Sequence, residues 1–303
     1  MADDRTDVTI GGRHLTLTNL GKVMYPGDGF TKGEVIDYYV KIADVLLPHL
    51  AERCVTRIRY PDGIGDLRFY EKNAPKGTPD WVHTENIPTP GSSKGRDSLD
   101  FVMVDDVATL AWLGNLAALE LHPFQWKLTA RDDERRPDRL VADLDPGEGA
   151  GMPECVEVAG ILRDRLAEDG LTAYPKSSGK KGIHLCCPIS AEQTDEEVSG
   201  YARRIAYELA ESHEDLITAN MRKTHRTGRV FIDWSQNNAA KTTVAPYSLR
   251  NQPNPTVSTP VTWDELEPGF NGGFSPEQVL ERIERHGDLW EPVFATGPRV
   301  PDA

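Results

Sequence analysis

The segment Val141-Ala142-Asp143-Leu144-Asp145-Pro146-Gly147 constrains this chain more than any other stretch. Its apolar run, interrupted by acids at every second position and closed by Pro-Gly, reads as a strand ending in a turn. Strand side chains alternate faces, so Asp143 and Asp145 point the same way, about 6.6 Å apart. Like charges that close repel strongly in a partly dry site unless a cation sits between them, which points to hard divalent ions such as Mg²⁺ or Mn²⁺. A second apolar run, Val230-Phe231-Ile232-Asp233-Trp234, offers Asp233 as a third ligand. Carboxylates around two metal ions are the machinery of nucleotidyl and phosphoryl transfer. The same D-x-D pattern also fits a solvated strand end.

Between the acids lies Tyr174-Pro175-Lys176-Ser177-Ser178-Gly179-Lys180-Lys181-Gly182-Ile183-His184-Leu185, which reads as strand, basic glycine-bearing loop, strand. Small residues let backbone N–H groups approach an anion, and lysines add positive charge where phosphate oxygens would sit. The G-x-x-x-x-G-K-[ST] spacing of a Walker A loop is absent. After Asp233 come the further cations Lys241 and Arg250, in K-T-T and Y-S-L-R.

The segments D-L-D-P-G-E-G, S-G-x-K-G-x-H-L, V-F-I-D-W-S-Q-N, K-T-T-V-A-P-Y-S-L-R and the early T-N-L-x-K-V-x-Y-P…T-K-G-E, taken together and in their order along the chain, resemble the polymerase domain of bacterial non-homologous end-joining ligase D. That domain belongs to the archaeo-eukaryotic primase superfamily. The resemblance runs from about Leu17 to Trp290 and implies an α+β fold, with two packed β-sheet modules flanked by helices around a catalytic cleft. Residues 1–303 are expected to form one primase-polymerase domain, with a core at about 17–290 and a tail at 291–303.

The resemblance further implies a metal-dependent polymerase that adds nucleotides, ribonucleotides by preference, to 3′-hydroxyl ends at gaps and double-strand breaks. Two Mn²⁺ or Mg²⁺ ions would sit on Asp143, Asp145 and Asp233. The incoming NTP or dNTP would meet His122, Ser178, Gly179, Lys181 and Gly182, together with His184, Gln236, Lys241 and Arg250. Asn19, Lys22 and Lys32 would take the 5′-phosphate of the downstream strand, Lys32 in the first turn of a helix whose N-terminus favours anions. Phe69 and Tyr70 would stack on the template, and Arg226, in a hairpin at 224–229, would grip the primer. A Ku protein and a separate ligase are the expected partners. A metal-dependent nuclease or phosphoesterase and a non-catalytic 5′-phosphate-binding module are the alternatives.

Composition is compatible with this. A chain of 303 residues with 38% hydrophobic content can bury a substantial core. No run of 18 apolar residues and no secretory signal is visible, so a cytoplasmic, nucleoid-associated protein without membrane contact is expected. Cys54, Cys155, Cys186 and Cys187 lack zinc-ligand spacing. The net charge of −14 argues against nucleic-acid binding only if it is evenly spread. Cations gather at Arg131 to Arg139, Lys176 to Lys181 and Arg222 to Arg229, while Glu192 to Glu197 and Glu277 to Glu284 read as outer helix faces, so a basic groove on an acidic body is expected.

Periodicity and caps predict helices from Thr31 to about Leu47, Val107 to Leu119, Pro153 to Gly170, Thr194 to Ser212 and Ser275 to Gly287. Strands are predicted at Cys54 to Arg59, Arg68 to Glu71, Asp100 to Val104, near Gln125 to Leu128 and at Val230 to Trp234. Segments 74–94 and 251–260 read as loops.

Overall fold

The computed structural model describes residues 4–89, 97–128 and 135–302. A hairpin of β1 (Arg5–Ile10) and β2 (Arg13–Thr18) leads to a small pair, β3 (Val23–Tyr25) and β4 (Phe30–Thr31). Thr31 then opens helix α1 (Lys32–Lys41) with the expected capping box, its side chain accepting from Glu34 N while Glu34 accepts from Thr31 N. The helix divides at Ile42 and continues as α2 (Ala43–Leu50), past Pro48, which lacks a backbone donor. Val35, Tyr38, Tyr39, Ile42 and Leu46 are buried, as their spacing predicts.

The first sheet contains β5 (Cys54–Arg59), β6 (Phe69–Glu71), β7 (Thr84–Pro88) and β8 (Ser98–Met103) in the order β6-β5-β8-β7, with β9 (Ala118–Pro123) also paired to β5. Helix α3 (Val107–Asn115) comes just before β9. Two expectations fail here. The predicted helix to Leu119 stops at Asn115 because Ala117 takes φ 58 and turns the chain into β9, whose pairing with β5 outweighs helix propensity; the strand predicted near 125–128 lies earlier for the same reason. Segment 74–94 is not all loop: β7 forms at the sheet edge, where Pro88 can lack its N–H. Residues 90–94 of that segment lie outside the described residues.

The second sheet contains β10 (Arg139–Pro146), β11 (Tyr174–Ser177), β12 (Ile183–Pro188), β13 (Ile217–Thr218) and β14 (Val230–Asp233), in the order β11-β12-β10-β14-β13. Helices α4 (Met152–Glu168) and α5 (Asp195–Ser212) cover one face, packing on Leu140, Leu144, Ile183, Leu185, Val230 and Ile232. Period-two alternation turns Val141, Asp143, Asp145, His184 and Asp233 to the other face. It also separates Cys187, which packs under the helices, from Cys186, which packs against Trp290. A last pair, β15 (Leu249–Arg250) and β16 (Thr256–Val257), and helix α6 (Pro276–His286) complete the set, so 251–260 is a loop except at β16. The expected tail packs onto the body: Val293 and Val300 are buried, and Gln193 Nε2 donates to Val300 O at 3.0 Å.

The charge forecast is half right. The acidic faces of α5 and α6 are exposed, but Arg139 and Lys176 are core residues and contribute no groove charge. Arg131 lies outside the described residues. No helix among the described residues is long and apolar enough to cross a membrane.

Candidate active site

Strand register brings the acids together. Asp143 on β10 stands directly opposite Asp233 on β14 and, on its other side, opposite His184 on β12. Cβ atoms in such pairs are about 4.5–5.5 Å apart. Gln236, in the short turn after β14, donates to Asp143 Oδ2 at 3.4 Å and to Asp233 Oδ2 at 3.0 Å. Asp233 Oδ1 accepts from Ser235 N at 3.0 Å and from Ser235 Oγ at 2.6 Å. Among the described residues no three His, Cys, Asp or Glu side chains converge as a ready ion cage.

Crowding of the acids shows in their protonation. Asp143 first, then burial and Asp233, push the Asp145 carboxyl up to about 7. Burial works on Asp143 in the same direction, but His184, Lys176 and Arg250 hold it below its usual value. One wall therefore carries more negative charge than its own cations neutralise. An all-oxygen donor set with surplus charge fits hard divalent cations.

Asp143 and Asp145 form one wall of a cleft of about 280 Å³, and Asp233 lies beside them but does not line it. The opposite wall is cationic: Lys180, Lys181 and Arg250 line it, with His122, whose pKa burial lowers, and Ser178, Thr242, Thr243 and Gln252. The loop between β11 and β12 supplies the lysines. Gly182 is required there, because a Cβ would meet Leu144 O at 2.1 Å, and this close approach locks the loop onto β10. Ser178 Oγ accepts from Lys180 N at 3.2 Å and from Gly182 N at 3.1 Å. Those two amides are thus already used within the loop. Lys241, exposed, is not part of the cleft wall.

Glu120 organises the cationic wall. Its buried carboxylate accepts from Arg250 Nη1 at 2.8 Å, His122 Nε2 at 3.1 Å, Tyr60 OH at 3.1 Å, Asn251 N at 3.1 Å and Lys180 Nζ at 3.4 Å. Burial alone would raise its pKa, yet His122, Arg250 and Lys180 drive it well below the carboxylate range. Neither Glu120 nor Lys180 was singled out from the sequence, and the misread helix hid the first. In a strand, Glu120 and His122 share a face.

The remaining predicted contacts are more dispersed. Lys32 Nζ is buried and donates to Thr18 O at 2.5 Å, and Lys22 pairs with Asp62 at 2.7 Å. Burial first, then Lys22 and Arg59, lower Lys32 to about 8, so this corner is rich in positive charge. The helix N-terminus adds little: the N–H groups of Lys32 and Gly33 go to Lys22 O and Leu20 O. Asn19 sits in the same turn with φ 54. Phe69 and Tyr70 are exposed, and Tyr70 OH reaches Thr242 Oγ1 at 3.1 Å on the cleft rim. The predicted hairpin around Arg226 is a short 3₁₀ turn at Lys223–His225. The Arg226 guanidinium lies 3.6 Å from the ring centre of Phe231, the cross-strand neighbour of Asp145.

Comparison with known proteins accords with this geometry. The family model for the primase-polymerase domain of LigD matches residues 31–290. The multifunctional end-joining protein LigD of Mycolicibacterium smegmatis is 41% identical over 285 residues, which cover 94% of this chain and 36% of that protein. The bifunctional LigD of Bacillus subtilis is 35% identical over 276 residues, covering 90% and 43%. The chain thus spans less than half the length of these relatives. Among solved structures, the polymerase domain of Mycobacterium tuberculosis ligase D, in complex with DNA, superposes with a TM-score of 0.87 at 40% identity, covering 94% of this chain and 99% of that one.

Proposed function

The chain belongs to the LigD primase-polymerase domain family, a family of nucleotidyltransferases, and from that premise we propose that its cleft extends 3′-hydroxyl ends at DNA gaps and double-strand breaks, with ribonucleotides preferred. The observation that carries this reading is the pairing of an acidic wall with a cationic wall across one 280 Å³ space. Hydrolysing a phosphodiester requires the first wall alone. A lysine-lined second wall suits a triphosphate, which favours polymerase over nuclease.

In this reading Asp143, Asp145 and Asp233 hold two divalent ions, Mn²⁺ or Mg²⁺, which when bound activate the attacking hydroxyl and stabilise the departing pyrophosphate. Lys180, Lys181 and Arg250 receive the triphosphate, and Ser178 and the glycines at 179 and 182 shape the loop that presents it. His122 faces the sugar, and Gln236 and His184 keep the acids in place. Lys241 stands at the rim. Phe69 and Tyr70 stack on template bases, each worth about 1–3 kcal/mol. Asn19, Lys22 and Lys32 anchor the 5′-phosphate, and Arg226 the primer end. Residues 1–303 are read as one such domain, acting at the nucleoid with a Ku protein and a ligase.

The deciding experiment incubates a gapped, 5′-phosphorylated duplex with Mn²⁺ and either ribo- or deoxyribonucleotides and sizes the products. Template-directed extension, faster with ribonucleotides, is expected. Shortened strands, or no product at all, would refute the reading.

A further inference from the structure

Behind the acidic wall, polar side chains form a row across the second sheet. Register sets Lys176 on β11 opposite His184 on β12, which stands opposite Asp143, itself opposite Asp233. His184 Nε2 lies 3.1 Å from Asp143 Oδ1. An ionised carboxylate only accepts, so Nε2 carries the proton of that bond, and in the neutral ring Nδ1 is left with a lone pair that needs a donor. That Nδ1 is buried without a partner, and so is Arg139 Nε.

Both residues line a small cavity of about 20 Å³, together with Lys176, Cys186, Thr243 and Trp290. Lys176 is 1% exposed, uses one N–H on Ser258 Oγ at 2.5 Å, and lies 5.7 Å over the Trp290 ring. Its other N–H groups are free to donate into the cavity. An unpaired buried polar atom costs about 1–3 kcal/mol, and a cavity of this size accommodates one water where roughly 2–4 polar partners surround it.

We infer that this cavity holds one ordered water that accepts from Lys176 Nζ and Arg139 Nε and donates to His184 Nδ1, making Lys176 a positioning residue for Asp143. The water keeps the imidazole proton on Nε2, and Nε2–H fixes the rotation of the Asp143 carboxylate. Lys176 thus acts on the acidic wall without touching substrate. The inference rests on the reading of Asp143 as a metal ligand.

Nitrogen NMR of the His184 side chain in the unmutated protein should show a protonated Nε2 and a bare Nδ1. In Lys176→Met, which keeps the side-chain length but loses the donors, the proton should distribute over both nitrogens. Calorimetric titration with Mn²⁺ should give a Kd raised about tenfold in that variant, the usual scale for an outer partner of a metal ligand. Its KM for nucleotide and its Kd for gapped DNA should stay unchanged. A proton resident on Nδ1 in the unmutated protein, or a crystal structure with this cavity empty, would overturn the inference even if Lys176→Met fails to fold. A folded variant with an unaltered spectrum and unaltered Mn²⁺ affinity would overturn it as well. Failure of the unmutated protein to bind Mn²⁺ would instead strike the polymerase reading, with the spectrum still deciding the water.

Discussion

On one side of the cleft, Asp143, Asp145 and Asp233 stand close to one another, with Ser235, Gln236 and His184 as donors to Asp143 and Asp233; on the other, Glu120 is more deeply buried than any of them but surrounded by Arg250, His122, Lys180, Tyr60 and Asn251. The same carboxyl chemistry gives opposite outcomes, Asp145 pushed up to about 7 and Glu120 driven down. A buried charge is tolerated to the extent that partners compensate it. The acidic wall has a deficit that an added cation can fill. The basic wall has already been balanced from within, which leaves Lys180 and Arg250 positioned rather than mobile.

The sharpest break of this contrast removes the deficit. Asp143→Ala with Asp145→Ala should cut extension at least about a thousandfold, the scale of several kcal/mol of lost metal stabilisation. Binding to a 5′-phosphorylated gap should persist, and unchanged extension would rule out the acidic wall as the metal site. On the opposite wall, Glu120→Gln keeps the shape but removes the compensating charge. The KM for nucleotide should then rise about tenfold, in line with roughly 1.5–3 kcal/mol for hydrogen bonds to charged groups. Lys181→Ala should also raise that KM, by less, with little change in DNA affinity, and the reverse pattern in steady-state and binding assays would move Lys181 to the DNA path.

Away from both walls, Lys22→Ala with Lys32→Ala should erase a preference for 5′-phosphorylated over 5′-hydroxyl gaps. Equal binding of the two ends by the unmutated protein would remove that pocket. The smallest effect is one of pH. The folded protein holds the Asp145 proton up to about 7, whereas the unfolded chain releases it near 3.8. Stability from this group is therefore fully present below that lower value and is lost as pH rises toward 7. His49, lowered to about 4 by burial, works in the opposite sense, losing stability as pH falls from 6.5. The comparison to make is hence between the metal-free protein and Asp145→Asn. The unmutated melting temperature should fall relative to the variant between pH 4 and 7, and parallel curves would show that Asp145 is not crowded.

Much of this was legible beforehand. Asp143 and Asp145 were placed on one face by period-two alternation, the caps at Thr31 and Thr194 by their reciprocal side-chain pattern, and the helix start at Ser275 by the proline after it. The serine–glycine–lysine loop was recognisable by composition, although the amides of Lys180 and Gly182 turned out to bond Ser178. Other features were hidden. Glu120 lay in a segment that reads as helix, β7 in one that reads as loop, and Lys176 and Arg139 looked like surface charge although they are core.

The division has a physical cause. Alternation, capping and turn chemistry depend on residues a few positions apart, so the sequence by itself determined which side chains share a strand face and where most helices begin. Which carboxylate meets its counter-charge is a matter of pairing between distant segments, such as Glu120 with Arg250 across 130 residues or Asp143 with Gln236 across 93. Only the tertiary structure decided that, because compensation of a buried charge depends on what packs around it and not on its neighbours along the chain.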